Sequence, residues 1–392
     1  MGQPHGNKVM TDSFPPSIRR ASCRGDDPVK IAAALHKQLM MPDLCAVLVY
    51  CSAEIALERL ADELQKSFGH VPVFGCTTAG EIGRDGYSQG GVMALGLAAP
   101  DFAVAPVLLT HLAEFNLMSG SEAVRQGLQS IRATSPHFSR DRMFALTLID
   151  GLCGSEEAVV SALHGVLGEI PLCGGSAGDC LRFQRTRILY GGRWHDNAAL
   201  LVLVATALPF RVFKTEHFNI GEQRAVVTAA NTPKRTVTEI NAEPAALEYA
   251  RVLGLEIEAL TPQVFANHPM VVRVGAANYV RSIQKVNEDG SLTFFCAIDE
   301  GIVLRAGIGV DLVENLEQQF DRLQDELGLP VLTLGFDCIL RGLEMDEKGL
   351  RDAVGGLMSA NNVFGFATYG EQYQAMHVNQ TFTGVTIGGS RR

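Results

Sequence analysis

No run of roughly eighteen apolar residues occurs anywhere in the 392-residue chain, so no membrane-crossing helix is expected. The start of the chain also lacks the basic-then-apolar pattern of a secretory signal. Positive charge is in short supply. Lys and Arg number 33 against 43 Asp and Glu, a net charge of −10, and a phosphate backbone needs the opposite balance, so nucleic acid is not an expected partner. None of the nine cysteines forms a Cys-x-x-Cys pair, which argues against the common zinc sites. An odd number of cysteines, several inside apolar runs, reads as reduced core thiols of a cytoplasmic protein. Neither a G-x-x-x-x-G-K-[ST] phosphate loop nor a G-x-G-x-x-G dinucleotide turn is present.

What the chain does contain is an ordinary globular composition, 47% hydrophobic and 19% charged. Residues 1–29 are polar, carry Pro15 and Pro16, and read as a flexible leader. Beyond them the chain repeats itself. "VFGCTTAGE" at 73–81 and "VFGFATYGE" at 363–371 share one register, and "IPLCGGSAGD" at 170–179 resembles both. Each follows an apolar strand and a helix: "CAVLVYC" with "SAEIALERLADELQKSFG", "MFALTLID" with "SEEAVVSALHGVLG", and "VLTLGFDCILRG" with "DEKGLRDAVGGLMS". Ser52 reads as the cap of the first of these helices, with Ile55, Leu57, Leu60, Leu64 and Phe68 as its apolar stripe. A further strand follows each glycine turn. The order strand–helix–strand favours a right-handed parallel crossover, and the strand after the turn can pair antiparallel.

Between the second and third copies, about 207–330, the pattern changes to short alternating strands. A hairpin turn "NEDG", a helix from Glu243-Pro244 to Gly254 and an amphipathic helix over 311–328 lie among them. The expected fold class is α/β of mixed α+β kind. Repeated strand–helix–strand units form mixed sheets flanked by helices, with a mostly antiparallel β insertion in the second half. The main boundary falls near Pro209, giving domains at 30–208 and 209–392, with relative motion expected about 207–215.

Three sets of residues could carry chemistry. The glycine turns offer hydroxyls and a carboxylate at strand ends, either as tight turns or as the floor of a small-ligand site. Cys153, in "IDGLCGSEE", sits at a strand-to-helix turn like that of a hydrolase nucleophile, but no base accompanies it; the alternative is a plain helix start. Of ten histidines, His217 in "KTEHF", His268 in "ANHPM" and His377 in "AMHVN" lie in apolar or β-rich surroundings. Such a neutral imidazole is either a hydrogen-bonded structural residue or the axial ligand of a haem iron. Arg273, Tyr279 and Arg281 follow His268 on strands and could hold propionates.

The turns, with "DGLCGSEE" and "FGFATYGEQ…HVNQT", resemble the FIST family of bacterial ligand-sensing modules from about residue 30 to the end. Within it, "KTEHF", "EINAEPAALEYAR", "NHPMVVRVG…YVRSIQ" and "FCAIDEGIVL" look most like the nitric-oxide-sensing haem proteins called NosP. The resemblance implies FIST N-type and FIST C-type domains at 30–208 and 209–392. It also implies a b-type haem with a histidine axial ligand, His268 or His217 ahead of His377. Nitric oxide would be the signal, read by a partner histidine kinase or a cyclic-di-GMP synthase or phosphodiesterase. With no output segment of its own, the chain would act by association, not as an enzyme, and a homo-oligomer is compatible with that. Two readings stand beside it: a FIST-type sensor of a small metabolite such as an amino acid, without haem, and a Cys153-dependent hydrolase or transferase.

Overall fold

Each repeat begins earlier than its glycine turn suggests, with an edge strand and a helix of its own. The computed structural model describes residues 15–274 and 277–389. Unit one contains β1 (Ile18–Arg24), α1 (Pro28–Leu39), β2 (Leu44–Ser52), α2 (Leu57–Phe68), β3 (Val73–Thr78), the hairpin β4 (Glu81–Gly83) and β5 (Gly86–Ser88), and β6 (Gly91–Ala98). Unit two repeats the order with β7 (Phe102–Leu109), α3 (Leu117–Thr134), β8 (Met143–Ile149), α4 (Glu156–Leu167), β9 (Leu172–Ser176), β10 (Ile188–Tyr190), β11 (Arg193–His195) and β12 (Ala199–Thr206).

Unit three starts with β13 (Phe210–Glu216) and is interrupted by an insertion. The insertion comprises β14 (Phe218–Asn231), β15 (Thr236–Ile240), β16 (Glu243–Pro244), α5 (Ala245–Leu253), α6 (Pro262–Asn267), β17 (Met270–Val274), β18 (Ala277–Arg281), β19 (Ile283–Val286), β20 (Leu292–Phe294) and β21 (Val303–Gly309). The unit resumes with α7 (Leu312–Leu327), β22 (Pro330–Cys338), α8 (Ile339–Lys348), α9 (Arg351–Ala360), β23 (Val363–Thr368), β24 (Glu371–Tyr373), β25 (Met376–Val378) and β26 (Thr381–Gly388).

The three sheets run β1-β6-β2-β3-β10-β11, β7-β12-β8-β9-β24-β25 and β13-β26-β22-β23-β4-β5. The central pairs β2–β3, β8–β9 and β22–β23 are parallel, as the strand–helix–strand order requires. In every sheet the last hairpin is donated by another unit: unit two completes sheet one, unit three completes sheet two, and unit one completes sheet three. The exchange is cyclic, so the three units form a ring with pseudo-threefold symmetry. Their inner faces share one core, with Tyr50 and Phe74 from the first sheet, Phe144 and Leu146 from the second, and Phe336, Phe364 and Phe366 from the third. Helices close the outside: α1 and α2 on the first sheet, α3 and α4 on the second, α7 and α9 on the third. Each large apolar side chain taken out of water here contributes about 1.5–3 kcal/mol.

The mixed α/β class with an antiparallel insertion is as the sequence indicates; the insertion is an antiparallel sheet of eight strands. Several local expectations change. Residues 1–14 of the expected leader lie outside the described residues, but Ile18–Arg24 is a strand paired along its whole length with β6, with Ile18 and Ala21 buried. Ser52 ends β2 rather than capping a helix; α2 starts at Leu57, although Leu57, Leu60, Leu64 and Phe68 do form its buried face. The third helix of the repeat is two helices, parted at Gly349, whose φ of 65° stops α8. The segment 207–215 is the short turn after β12 and most of β13, and β13 pairs with β26 inside the third sheet, so the expected boundary near Pro209 opens straight into a paired strand. The insertion leaves and rejoins its unit at His217 and Val310, where the Val310 amide donates to the His217 carbonyl at 2.8 Å.

Candidate functional site

The three glycine turns meet at the axis of the ring. Ala79 N donates to Ala367 O at 3.1 Å, Gly178 N to Thr77 O at 3.0 Å and Ser176 N to Gly370 O at 2.8 Å, so every turn is bonded to another. Side chains are excluded there: a Cβ on Gly178 would lie 2.7 Å from the Ala79 amide nitrogen. The turns are therefore tight structural closures of the ring at the axis, and at the surface Ala79, Gly80 and Ala367 form part of the wall of a cleft.

The insertion folds back over the strand ends of unit two and forms a buried polar seam. From the core come His377, Asn379 and Gln380, on and after β25, and Glu156 and Glu157 at the start of α4. From the insertion come Arg235, Arg281, Ser282 and Cys296, and β18 packs on β25. Arg235 ties the two sides together, reaching Glu156 and Glu157 at 2.6 Å each and the Phe295 carbonyl at 2.7 Å. The Ala297 amide adds a 2.6 Å bond to Glu157.

Five polar atoms along this seam have no hydrogen-bond partner: His377 Nε2, Arg281 Nε, Ser282 Oγ, Asn379 Oδ1 and Gln380 Oε1. Except for Arg281, their residues are at most 1% exposed. A buried polar group without a partner costs about 1–3 kcal/mol, so five together are a feature to be explained. Gln380 also has the left-handed backbone conformation, φ 54°, without being glycine. The His377 ring accepts from Gln372 Nε2 at 3.3 Å through Nδ1, so the neutral ring carries its hydrogen on Nε2. Burial lowers the pKa of His377, with Glu157 and Glu156 opposing, so the ring is neutral at physiological pH.

The other predicted histidines behave differently. His217 is fully buried and both ring nitrogens are engaged: Arg341 Nη1 donates to Nδ1 at 3.0 Å and Nε2 bonds Glu344 Oε2 at 2.6 Å. Since arginine only donates, Nε2 carries the hydrogen, and no lone pair is left for a metal. His268 ends α6 with its side chain exposed; the backbone carbonyl accepts from Tyr249, and nothing encloses the ring. Arg281 reaches the seam, whereas Tyr279 lies under Lys214, 5.2 Å from its ring centre, and Arg273 is exposed on β17. The six residues expected together are thus separated, and only His377 and Arg281 meet.

This decides how well the residues suit a haem. His377 is buried and neutral, and its Nε2 has no protein partner, but with Gln372 donating to Nδ1 that nitrogen carries the hydrogen, so a lone pair for iron would require the other tautomer. The surroundings do not match the ring of a porphyrin. A Cβ on Gly370 would sit 2.6 Å from Nε2, and the neighbours are two glutamates and two arginines instead of apolar walls. The most prominent surface clefts, of about 310 to 710 Å³, are not lined by His217, His268 or His377. Groups of three or more metal-ligating side chains are absent among the described residues.

Cys153 lacks the surroundings of an activated thiol. Its half-buried thiol accepts the Ser155 amide at 3.4 Å, and burial with Glu156 beside it raises the pKa far above that of a reactive cysteine. All nine cysteines are unbonded. Among the described residues no helix is long and apolar enough to cross a membrane.

Sequence reasoning found His377 but not the seam. The paired glutamates of "GSEEAVV" read as an ordinary helix start, and Arg235 gives no local signal because its partners lie in another unit. "HVNQT" held the strongest available clue, three consecutive polar residues ahead of a buried strand.

Comparison with known proteins agrees with the repeat motifs. Residues 45–243 match the FIST N domain and residues 245–374 match the FIST C domain. The first match therefore runs through β13, β14 and β15 into the insertion. No curated protein matches the chain. Among solved structures, cyanuric acid hydrolase from A. caulinodans aligns over 49% of this chain and 72% of its own, at 10% identity and a TM-score of 0.28.

Proposed function

Because the chain belongs to the FIST family, whose domains are sensory, we propose that it is a ligand-sensing module acting on a separate signalling enzyme, with its ligand bound in the seam around His377. The observation that carries this reading is the set of five unpartnered polar atoms where the insertion meets the core. A ligand supplying their hydrogen bonds would recover free energy lost in the ligand-free fold and draw insertion and core together. Arg235 and Arg281 provide positive charge, Glu156 and Glu157 negative charge, and His377 a neutral N–H donor at Nε2. This balance suits a small zwitterion, an amino acid above all. The enzyme that listens is, on the resemblance to NosP, a histidine kinase or an enzyme of cyclic-di-GMP turnover.

One second reading rests on the resemblance to NosP: a b-type haem is held by His377, in its other tautomer, rather than by His217 or His268, because His377 Nε2 has no protein partner. Such a group would supply an iron able to bind nitric oxide. One set of samples tests both readings. An amino-acid panel should contain a member that raises the melting temperature, by an amount equivalent to about 2.7 kcal/mol at a hundred times Kd, with the effect lost in His377→Ala and Arg281→Ala. Protein made with a haem precursor should lack stoichiometric haem. A Soret band that shifts with nitric oxide and vanishes in His377→Ala replaces the amino-acid reading with the haem reading. Protein indifferent to both kinds of ligand rules out the seam.

A further inference from the structure

The pseudo-symmetry places Tyr87 in unit one where His377 stands in unit three. Each is on the second strand of the donated hairpin, opposite the residue that follows Gly-Glu: Tyr87 faces Ile82, and His377 faces Gln372. The insertion covers the His377 position. The Tyr87 position, at the end of β22, opens as a cleft of about 440 Å³.

Its floor is fixed. The Tyr87 hydroxyl donates to Asp337 Oδ2 at 2.5 Å, and Arg341 Nε donates to Asp337 Oδ1 at 2.6 Å, so both carboxylate oxygens are occupied. Arg341 is fully buried, and its Nη2 has no acceptor. At the mouth, the Arg351 guanidinium lies 5.2 Å over the Tyr87 ring and pairs with Asp346 at 2.5 and 2.7 Å. That pair is part-exposed, hence weak and exchangeable. Ile339, Leu343 and Ala367 supply an apolar wall. The start of α8 opens onto the cleft without a side-chain cap. Arg341 lies behind the lining and holds Asp337, whereas Arg351 lines the cleft and is held only by a part-exposed pair, so the positive charge open to an incoming acceptor is that of Arg351, beside the helix start.

The floor also leads to the insertion. Arg341 Nη1 donates to His217 Nδ1 at 3.0 Å, His217 donates to Glu344 at 2.6 Å, and Lys348 reaches the other Glu344 oxygen at 2.7 Å. His217 is the residue at which the insertion departs, bonded through its carbonyl to Val310, where it returns.

We propose that this cleft is a second small-molecule site, for an organic acid with a short apolar body, and that Asp337, Arg341 and His217 pass its occupancy to the insertion. The carboxylate replaces Asp346 on Arg351, and the body lies along Ile339 and Leu343. The proposal does not depend on the ligand of the His377 seam.

Benzoate is the probe and benzylamine, with the same ring and opposite charge, its control. Calorimetry on the full chain should show saturable benzoate binding, weakened tenfold or more in Arg351→Ala, and no binding of benzylamine. Arg351 is part-exposed at the mouth, so a wild-type circular dichroism spectrum and a cooperative melt confirm that the variant is folded. Absence of saturable benzoate binding, equal binding of benzylamine, or indifference to Arg351→Ala overturns the site. Amide exchange across 218–274 and 277–309 should change on saturation with benzoate, and should not change in His217→Gln while that variant still binds benzoate. Unaltered exchange in the wild-type chain overturns the coupling. His377→Ala leaves benzoate binding intact, which separates failure of this proposal from failure of the seam.

Discussion

Glu371 has no exposed surface and meets hydroxyl groups in place of a cation. Thr381 Oγ1 donates to Oε2 at 2.8 Å and Thr368 bonds the other oxygen. Burial raises its pKa from 4.5 to about 8, although the two threonines pull the other way. Glu81, in the matching turn of unit one with Thr78 beside it, is pushed by burial to about 7. Between the ordinary carboxyl value and these raised values the folded chain holds protons that the unfolded chain has released. The stability they contribute is therefore complete below about pH 4.5 and lost as pH rises toward 8. Each pH unit between the unfolded and folded pKa of such a group corresponds to ~1.4 kcal/mol. Because the buried neutral His217 and His377 act in the opposite sense, the effect is read as a difference: in denaturant unfolding the wild-type chain should lose more stability than Glu371→Gln, on the order of a few kcal/mol, between about pH 5 and about pH 8.5. Glu371→Gln should flatten that loss and match the wild type near the acid end of the range. At this scale the sequence identified which histidines sit in apolar company, but not their partners. His217, His268 and His377 look alike as neighbours in the chain. They differ only because Arg341 and Glu344 reach His217 from a distant part of the chain, while Gly370 meets His377 across a turn.

The helices and turns were the most legible elements. α5 ends at Gly254, α7 runs between Asp311 and Gly328, and the Asn287–Gly290 turn joins β19 to β20, all as local caps and turn residues dictate. The glycine turns were legible as turns, but their reason was not. Gly178 packs on the backbone of Ala79 from another unit, so a methyl group there must displace main chain, not a flexible side chain. Gly178→Ala should cost about 1–3 kcal/mol by overpacking. A control such as Gly356→Ala, where a Cβ meets nothing within 4 Å, should be neutral or slightly stabilising in the same urea titration. Equal effects of the two substitutions would contradict the ring closure. The edge strands β1, β7 and β13 escaped notice as part of the repeat because they lie a whole helix upstream of the motif that advertises it.

In the whole molecule, no unit owns a complete sheet. Each sheet ends in a hairpin from a neighbour, so the three-sheet core is expected to unfold as one cooperative body. The insertion is separate in this respect: it has its own core, with Val227, Tyr249, Phe265 and Leu304, and its two ends lie one hydrogen bond apart. Replacing 218–309 by a short glycine linker should leave a core that melts cooperatively by circular dichroism but has lost the response of the His377 seam. A non-cooperative melt would show that the insertion is needed for the ring itself. What the sequence determined by itself was the local grammar: periodic apolar faces, caps, glycine turns, the threefold repetition and a net negative charge. What only the tertiary structure decided was the exchange of hairpins, the seam beneath the insertion and the partner of each buried charge. Local grammar is set by neighbours within about one helical turn or one hairpin. The site depends on groups such as Arg235 and Glu157 that chain connectivity does not bring together, and only the packing of whole sheets does.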